Sequence, residues 1–234
     1  MSSVSSGRVY FEVIDYIKRL VGEGKVRFGE KLPSEREMME TLGLSRNSIR
    51  EAMRTLEHMG MTESRQGKGN YLANNMGRSL SGVFSTLLLM KETSYLEVSQ
   101  LRHAMEMQAF YMAADQIGPG EKQEFEEIIG RMRHPDAQEK NRADHQFHQM
   151  LIRCSGNRLL QVVMDALSEV CREEIAMMRA DSARDDEEKW RKLHEKIYHC
   201  LAARDLKNGM KAIMEHYAWV DRGLREIGES GRNG

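Results

Sequence analysis

Apolar residues recur every three or four positions along most of the chain, which is the spacing of amphipathic helices. Three such stripes fall within the first 60 residues, separated by short segments rich in Gly and Ser. The first stripe predicts a helix that ends near residues 22–24. The second predicts a helix between Ser34 and Gly43, and the third a helix from Arg46 to about Met59.

The start of the second helix carries a capping signature. Ser34 is followed three residues later by Glu37, a spacing in which each side chain can satisfy a free backbone amide of the first turn. Gly43 suits a helix end because glycine tolerates positive φ, and Ser45 can cap the third helix. Two short helices joined by so tight a connection predict a helix-turn-helix.

A short hairpin is expected directly after the third helix. Residues 61–65 and 70–73 have the composition of two short strands, and Gln66-Gly67-Lys68-Gly69 lies between them. The glycines suit a tight turn, and Lys68 places a cation at its tip. A hairpin of this length beside a helix-turn-helix predicts a wing.

Polar residues at the start of the third helix have a pattern typical of base recognition. Arg46 and Arg50 are four residues apart on one helix face, and Asn47 lies beside Arg46. The first turns of a recognition helix point at base edges, and arginine is well shaped to contact guanine through two hydrogen bonds. The alternative is that these arginines only solvate an exposed face. Together with the caps, the tight connection and the wing, they predict binding to double-stranded DNA.

Beyond residue 75 the pattern changes to long helical stripes without strand alternation. One helix is expected from Leu101 to about Gln116, followed by a break at residues 118–120. Others are expected over residues 121–132, 139–154, 158–179, 187–204 and 206–227. We therefore predict a mainly α protein, with a winged helix-turn-helix and small β wing over residues 1–75 and an all-α bundle over 76–234. The polar stretch 73–79 is expected to link them.

Charge agrees with this division. The whole chain has a net charge of −1, which by itself disfavours a nucleic-acid binder. Residues 1–75, however, hold 12 Lys and Arg against 10 Asp and Glu, and the remainder holds 23 against 26.

The three cysteines form no C-x-x-C pair, and no apolar run suits a membrane span or secretory signal. A cytoplasmic protein with no membrane partner and no thiolate zinc site is expected.

One aspartate and three histidines of the second half can converge. Asp144 and His148 are four residues apart on one helix face. His194 and His216 each lie 11 residues from Asp205, so a tight turn there would place both imidazoles at the same height on antiparallel helices. This donor set suits Zn²⁺, Ni²⁺ or Mn²⁺. The alternative is that each histidine is a core residue hydrogen-bonded to a neighbour.

An enzymatic function is not expected. His194-Glu195 and His199 superficially resemble a zincin motif, but these histidines are five residues apart where that chemistry needs four. His145 and His199 have polar neighbours and are expected at the surface. The chain also lacks a nucleophile elbow and a phosphate-binding P-loop. A metal-dependent hydrolase is thus a remote alternative, and a bundle that only dimerises is the nearer one.

Residues 29–72, which include L-P-S-E-R and S-R-N-S-I-R, closely resemble the winged helix-turn-helix of GntR-family bacterial transcription regulators. The resemblance implies that Arg36, Arg46, Arg50 and Gly67 lie on operator DNA, with Lys68 as a phosphate contact. A twofold-symmetric operator requires a homodimer.

The second half resembles the ligand-binding FCD domain of the FadR subfamily of these regulators. The resemblance is carried by Ala143-Asp144-x-x-Phe147-His148, by Ser155-Gly156-Asn157, and by the segments around His194 and His216. It implies metal ligands Asp144, His148, His194 and His216. It further implies that Arg102 faces an effector carboxylate, with Glu106 one turn later and Asn157 also at the effector. The chain is therefore predicted to be a regulator that responds to a small organic acid.

Overall fold

The computed structural model describes residues 3–180 and 184–230. Within these ranges the chain forms ten helices and one two-stranded antiparallel sheet. None of the described helices is long and apolar enough to cross a bilayer. In chain order the elements are α1 (Ser3–Gly22), α2 (Glu35–Leu42), α3 (Arg46–His58), β1 (Thr62–Arg65), β2 (Gly69–Leu72), α4 (Met76–Leu89), α5 (Tyr95–Ala113), α6 (Pro119–Arg131), α7 (Ala137–Cys154), α8 (Arg158–Ala180), α9 (Arg184–Ala202) and α10 (Leu206–Ser230).

The chain divides into two compact units, Met1–Leu80 and Ser81–Gly234. In the first unit, α1, α2 and α3 enclose a core that includes Val13, Met38 and Ile49, all fully buried. Strands β1 and β2 pair in register, and an isolated bridge from Lys31 to Tyr71 attaches the preceding loop to β2. The predicted mainly α fold with a small wing is confirmed.

The predicted caps of the helix-turn-helix are present. The Glu37 amide donates to Ser34 Oγ at 3.2 Å, while the Ser34 amide donates to Glu37 Oε2 at 2.6 Å. Gly43 has φ of 67°, and its amide donates to the carbonyl of Met39 and ends α2. Ser45 Oγ accepts from the Ser48 amide and starts α3. The two helices are thus separated by the short connection that the sequence predicted.

Helix α4 begins within the polar stretch that was expected to be a linker. Its first turn is closed by the Arg78 amide, which donates to the carbonyl of Asn75. The Asn75 amide donates to the carbonyl of Gly60 at 2.8 Å, and Ser79 Oγ donates to the carbonyl of His58, also at 2.8 Å. Because these bonds reach back to the end of α3, residues 75–79 belong structurally to the first unit.

Helix α5 occupies the interior of the second unit, where it packs against α7, α8 and α10. Phe110 of α5 is fully buried against α10, and Gly209 makes room for its ring. A Cβ at Gly209 would lie 2.0 Å from Phe110 Cζ. The predicted turn between α9 and α10 is confirmed, with Asp205 Oδ1 accepting from the Asn208 amide. This turn makes α9 and α10 antiparallel neighbours.

Candidate DNA-binding surface and metal centre

The predicted DNA-contacting residues of α3 lie on the surface of the first unit. Arg46 and Asn47 occupy the first turn after the Ser45 cap, and both are exposed. Arg50 is exposed one turn later, and its Nε lies 3.7 Å from Glu35 Oε1. Surface ion pairs of this length contribute little energy, so the guanidinium is available to a phosphate or base. Arg54, which the sequence analysis did not single out, is exposed one further turn along α3.

The remaining predicted DNA contacts lie on α2 and on the wing. Arg36 is exposed on α2 and lies 3.5 Å from Glu40. Gly67 has φ of 70° in the turn between β1 and β2, and Lys68 is exposed beside it. Arg65 also reaches this surface, with its guanidinium carbon 4.1 Å from the ring centroid of Tyr71.

In the second unit the structure brings Asp144, His148, His194 and His216 together. One donor atom from each lies within 4.8 Å of the others. Asp144 Oδ1 is 3.2 Å from His194 Nε2 and 3.6 Å from His148 Nε2. The ring centroids of His194 and His216 are 4.6 Å apart. The cluster is thus built by α7, α9 and α10, and all four residues are nearly or fully buried.

The two nitrogens of His148 and of His194 have different surroundings. His148 Nδ1 lies 2.7 Å from Glu106 Oε1, although the alignment is that of an ion pair rather than of a hydrogen bond. His194 Nδ1 lies 2.9 Å from the carbonyl of Trp190. In both rings Nε2 therefore points to the cluster, where the two Nε2 atoms are 3.4 Å apart.

The electrostatics of the cluster suit a cation. Burial lowers the pKa of His148, but Glu106 and Asp144 outweigh that effect and raise it to about 9. Burial and the neighbouring imidazoles hold the pKa of His216 well below its usual range. Neither ring nitrogen of His216 has a hydrogen-bond partner among the described residues. A buried neutral imidazole without partners is costly, and a metal ion would satisfy it.

Asp144 and the three histidines thus pass a chemical test as metal ligands. Three imidazole nitrogens and one carboxylate form a donor set that divalent zinc, nickel and manganese accept. A wholly structural set of histidines would be expected to hydrogen-bond to neighbours, which His216 does not do within the described part of the chain. The side chains here fit a divalent cation.

The three predicted effector residues have different surroundings. Arg102 is 4% exposed, and its Nε has no hydrogen-bond partner in the described structure. Glu106 is fully buried one turn later on α5, and its Oε1 accepts from Tyr217 Oη at 2.6 Å. The other carboxylate oxygen, Oε2, is unpartnered within the same ranges. Asn157 lies at the start of α8, where its Oδ1 accepts from the amides of Leu159 and Leu160.

Sequence reasoning missed one contact near this cluster. His103 lies one residue after Arg102 and stacks on Tyr217, with ring centroids 4.9 Å apart. No sequence spacing signals that contact, because it depends on how α5 packs on α10. The expected surface position of His199 is confirmed, whereas His145 is only partly exposed, since Arg172 and the neighbouring helix α8 lie near it.

Comparison with known proteins identifies both units. Residues 9–72 match the gntR family of bacterial regulatory proteins, and residues 97–218 match the FCD domain. The uncharacterized HTH-type transcriptional regulator YcbG of Bacillus subtilis is 28% identical, over 93% of this chain and 91% of its own. The putative L-lactate dehydrogenase operon regulatory protein of Escherichia coli is 25% identical, over 95% and 88%.

A solved structure agrees with these matches. That of Streptococcus agalactiae GntR superposes with a TM-score of 0.73 at 24% identity, covering 93% of this chain and 99% of that one. At this identity the likeness establishes the fold. The named relatives are transcription regulators and not enzymes. With a winged helix-turn-helix followed by an FCD domain, the chain belongs to the GntR family of bacterial transcription regulators.

Proposed function

We propose that this regulator binds a palindromic operator as a homodimer and responds to a small organic acid. The acid would bind next to a divalent metal ion held by Asp144, His148, His194 and His216. The observation that carries the proposal is this buried group of four donors, in which the ring nitrogens of His216 lack partners among the described residues.

These four residues would hold the ion, and a divalent cation that accepts more than four ligands would supply positions for oxygen atoms of the effector. Arg102 would meet a carboxylate oxygen through Nε, which lacks a partner within the described residues. Glu106 Oε2, also without a partner there, would accept from a hydroxyl group. A carboxylate that carries a hydroxyl would satisfy both atoms. The E. coli relative is named for an L-lactate dehydrogenase operon, and lactate has this chemistry.

Asn157 is the third residue that we assign to the effector, and its contribution would differ. Its Oδ1 caps α8, so the side chain is held in one orientation. The remaining Nδ2 is a donor, and it would reach the effector only if the ligand extends toward the start of α8. The carboxamide is therefore a secondary contact in this proposal.

On the DNA side, we assign base recognition to Arg46, Asn47 and Arg50, which are exposed at the start of α3. Arg36, the turn at Gly67 and Lys68 would contact the phosphate backbone. Phosphate contacts position a protein on the duplex, and base contacts specify the sequence. Two copies of α3 related by a twofold axis would read the two halves of a palindrome, which requires a dimer.

The double variant His148→Ala/His194→Ala tests the sensing role. We expect it to lose metal and effector response while the effector-free protein still binds operator DNA. His199→Ala, on the same helix as His194 but exposed, is the matched control and should retain both. An unchanged effector response in the double variant would show that His148 and His194 do not carry the response. If the wild-type protein also shows no effector response, the bundle only dimerises.

A further inference from the structure

We infer that Glu106 and Tyr217 form a positioning pair that orients His148 and strengthens it as a metal ligand. The inference rests on the proposed metal site. It assigns to Glu106 a role through Oε1 that is separate from any effector contact through Oε2, and it gives Tyr217 a role that no sequence motif suggested.

Three buried groups from three helices lie in series. Tyr217 Oη of α10 donates to Glu106 Oε1 of α5 at 2.6 Å. The same oxygen lies 2.7 Å from His148 Nδ1 of α7. The exposed fractions of these residues are 1%, 0% and 2%, so water does not compete for the contacts. Since Nδ1 faces the carboxylate at ion-pair distance, Nε2 is the atom that His148 presents to Asp144 and His194.

His194 provides an internal comparison. Its Nδ1 faces the carbonyl of Trp190, which is four residues earlier on α9 and belongs to the backbone of its own helix. The orientation of His194 is therefore set locally by α9. The orientation of His148 depends instead on a charged side chain from another helix. A carboxylate behind a ligating imidazole fixes its tautomer and raises the basicity of the ligating nitrogen.

Tyr217 completes the arrangement because a carboxylate held by a single contact can rotate. Its hydroxyl fixes Glu106 Oε1 at the point where it also contacts His148. The Tyr217 ring is held independently by stacking on His103. Tyr217→Phe should therefore remove the hydroxyl while leaving the ring in place, which makes it the sharpest test of the pair.

The first measurement is the dissociation constant of Zn²⁺ for the full-length protein, obtained by competition with a chromogenic chelator. Changes behind a metal ligand typically weaken metal binding about 10–100-fold, and we expect Glu106→Gln and Tyr217→Phe to fall in that range. Ser99→Ala is the matched control. Ser99 Oγ donates to Asp221 Oδ1 at 2.7 Å, so it also joins α5 to α10, two turns before Glu106 and one turn after Tyr217.

The second measurement separates positioning from general loosening of the bundle. The Co²⁺-substituted protein has visible absorption bands that respond to ligand geometry. We expect these bands to shift in Tyr217→Phe and Glu106→Gln and to stay unchanged in Ser99→Ala. If Glu106→Gln does not fold, the Co²⁺ spectrum and Zn²⁺ affinity of Tyr217→Phe alone test the positioning role.

Two results would overturn the inference. One is a Zn²⁺ affinity and a Co²⁺ spectrum that are unchanged from those of the wild-type protein in both Glu106→Gln and Tyr217→Phe. The other is an equal loss of affinity in Ser99→Ala, which would show that only the packing of α5 on α10 matters. Either result leaves the proposed function standing, since the wild-type protein still binds metal. Failure of the wild-type protein to bind Zn²⁺ or Co²⁺ would instead reject the metal centre itself.

Discussion

The imidazoles of His194 and His216 lie edge to face with their centroids 4.6 Å apart, on helices that are joined by one tight turn. His148 of α7 adds a third ring 5.0 Å from His216. An ion bound by all three rings would hold α7, α9 and α10 together. Metal binding should therefore be coupled to the folding stability of the second unit.

Thermal unfolding with and without chelator tests this coupling. We expect added Zn²⁺ to raise the melting temperature, because a ligand at 100 times its dissociation constant stabilises the native state by about 2.7 kcal/mol. His194→Ala should abolish the shift and His199→Ala should retain it. An equal shift in both variants would place the bound ion elsewhere.

Operator binding tests the assignment of α3. Arg46→Ala or Arg50→Ala should weaken binding to the specific operator by roughly 1–3 kcal/mol, with a smaller effect on random DNA. Lys18→Ala, an exposed cation on α1 paired with Asp15, is the control for a general loss of charge. Electrophoretic mobility shifts on both DNAs measure the difference. An equal loss of affinity for operator and random DNA would show that these arginines contact only phosphates.

Effector titration tests Arg102. Arg102→Ala should abolish the response to a carboxylate effector, because alanine lacks the paired donors with which a guanidinium binds a carboxylate. Metal content should remain that of the wild-type protein, since Arg102 is not one of the four clustered donors. Calorimetry with hydroxy acids and metal analysis by mass spectrometry check both points. A normal effector titration in the variant would remove Arg102 from the pocket.

The pH dependence of metal binding follows from His148. In the metal-free protein its pKa is raised to about 9, so His148 carries a proton at pH 7 that an incoming metal must displace. Burial lowers the pKa values of His194 and His216. Burial would raise the pKa of Asp144, but its histidine neighbours outweigh that effect and lower it. These three side chains are therefore already deprotonated at pH 7. Affinity should rise about tenfold per pH unit from pH 7 toward 9.

Calorimetry in buffers of different ionisation enthalpy counts the released protons. One proton per metal ion is expected at pH 7. A count of zero would mean that His148 is neutral before the metal binds.

Two glycine variants test the packing of the second unit. Gly130→Ala lies on the exposed side of α6 with open space around its Cβ, and it should stabilise the fold by up to about 1 kcal/mol through helix propensity. Gly209→Ala should destabilise it, because the new Cβ would lie 2.0 Å from Phe110. Crowding of this kind typically costs about 1–3 kcal/mol. Denaturant unfolding of both variants checks the opposite signs.

The sequence predicted what local rules determine. Ser34 and Glu37 predict the start of α2, because a capping box involves the residues of a single helical turn. The turn at Asp205 places His194 and His216 at the same height, because the rise per residue of a helix is constant. The same capping signature at Ser94 and Glu97 begins α5 at Tyr95, six residues before the expected start. That signal was present in the sequence and could have been used.

Other features could not be predicted from spacing. Helix α4 was not predicted, and although its sequence is apolar, none of its residues is fully buried. The contact between Glu106 and His148 spans 42 residues and depends on which turn of α5 faces α7. Helical periodicity shows that a residue is buried but not which neighbour it meets. The partners of the clustered histidines therefore required the three-dimensional structure.

Hydrogen bonds join the end of α3 to the segment that follows the wing. The carbonyl of Gly60 accepts from the Asn75 amide, and the carbonyl of His58 accepts from Ser79 Oγ. Gly60 has φ of 70°, and a Cβ there would lie 2.4 Å from the Asn75 carbonyl oxygen. Helix α3 and residues 75–79 are consequently expected to move as one body. Any change in operator affinity that moves α3 should therefore move residues 75–79 with it, because hydrogen bonds join the two segments.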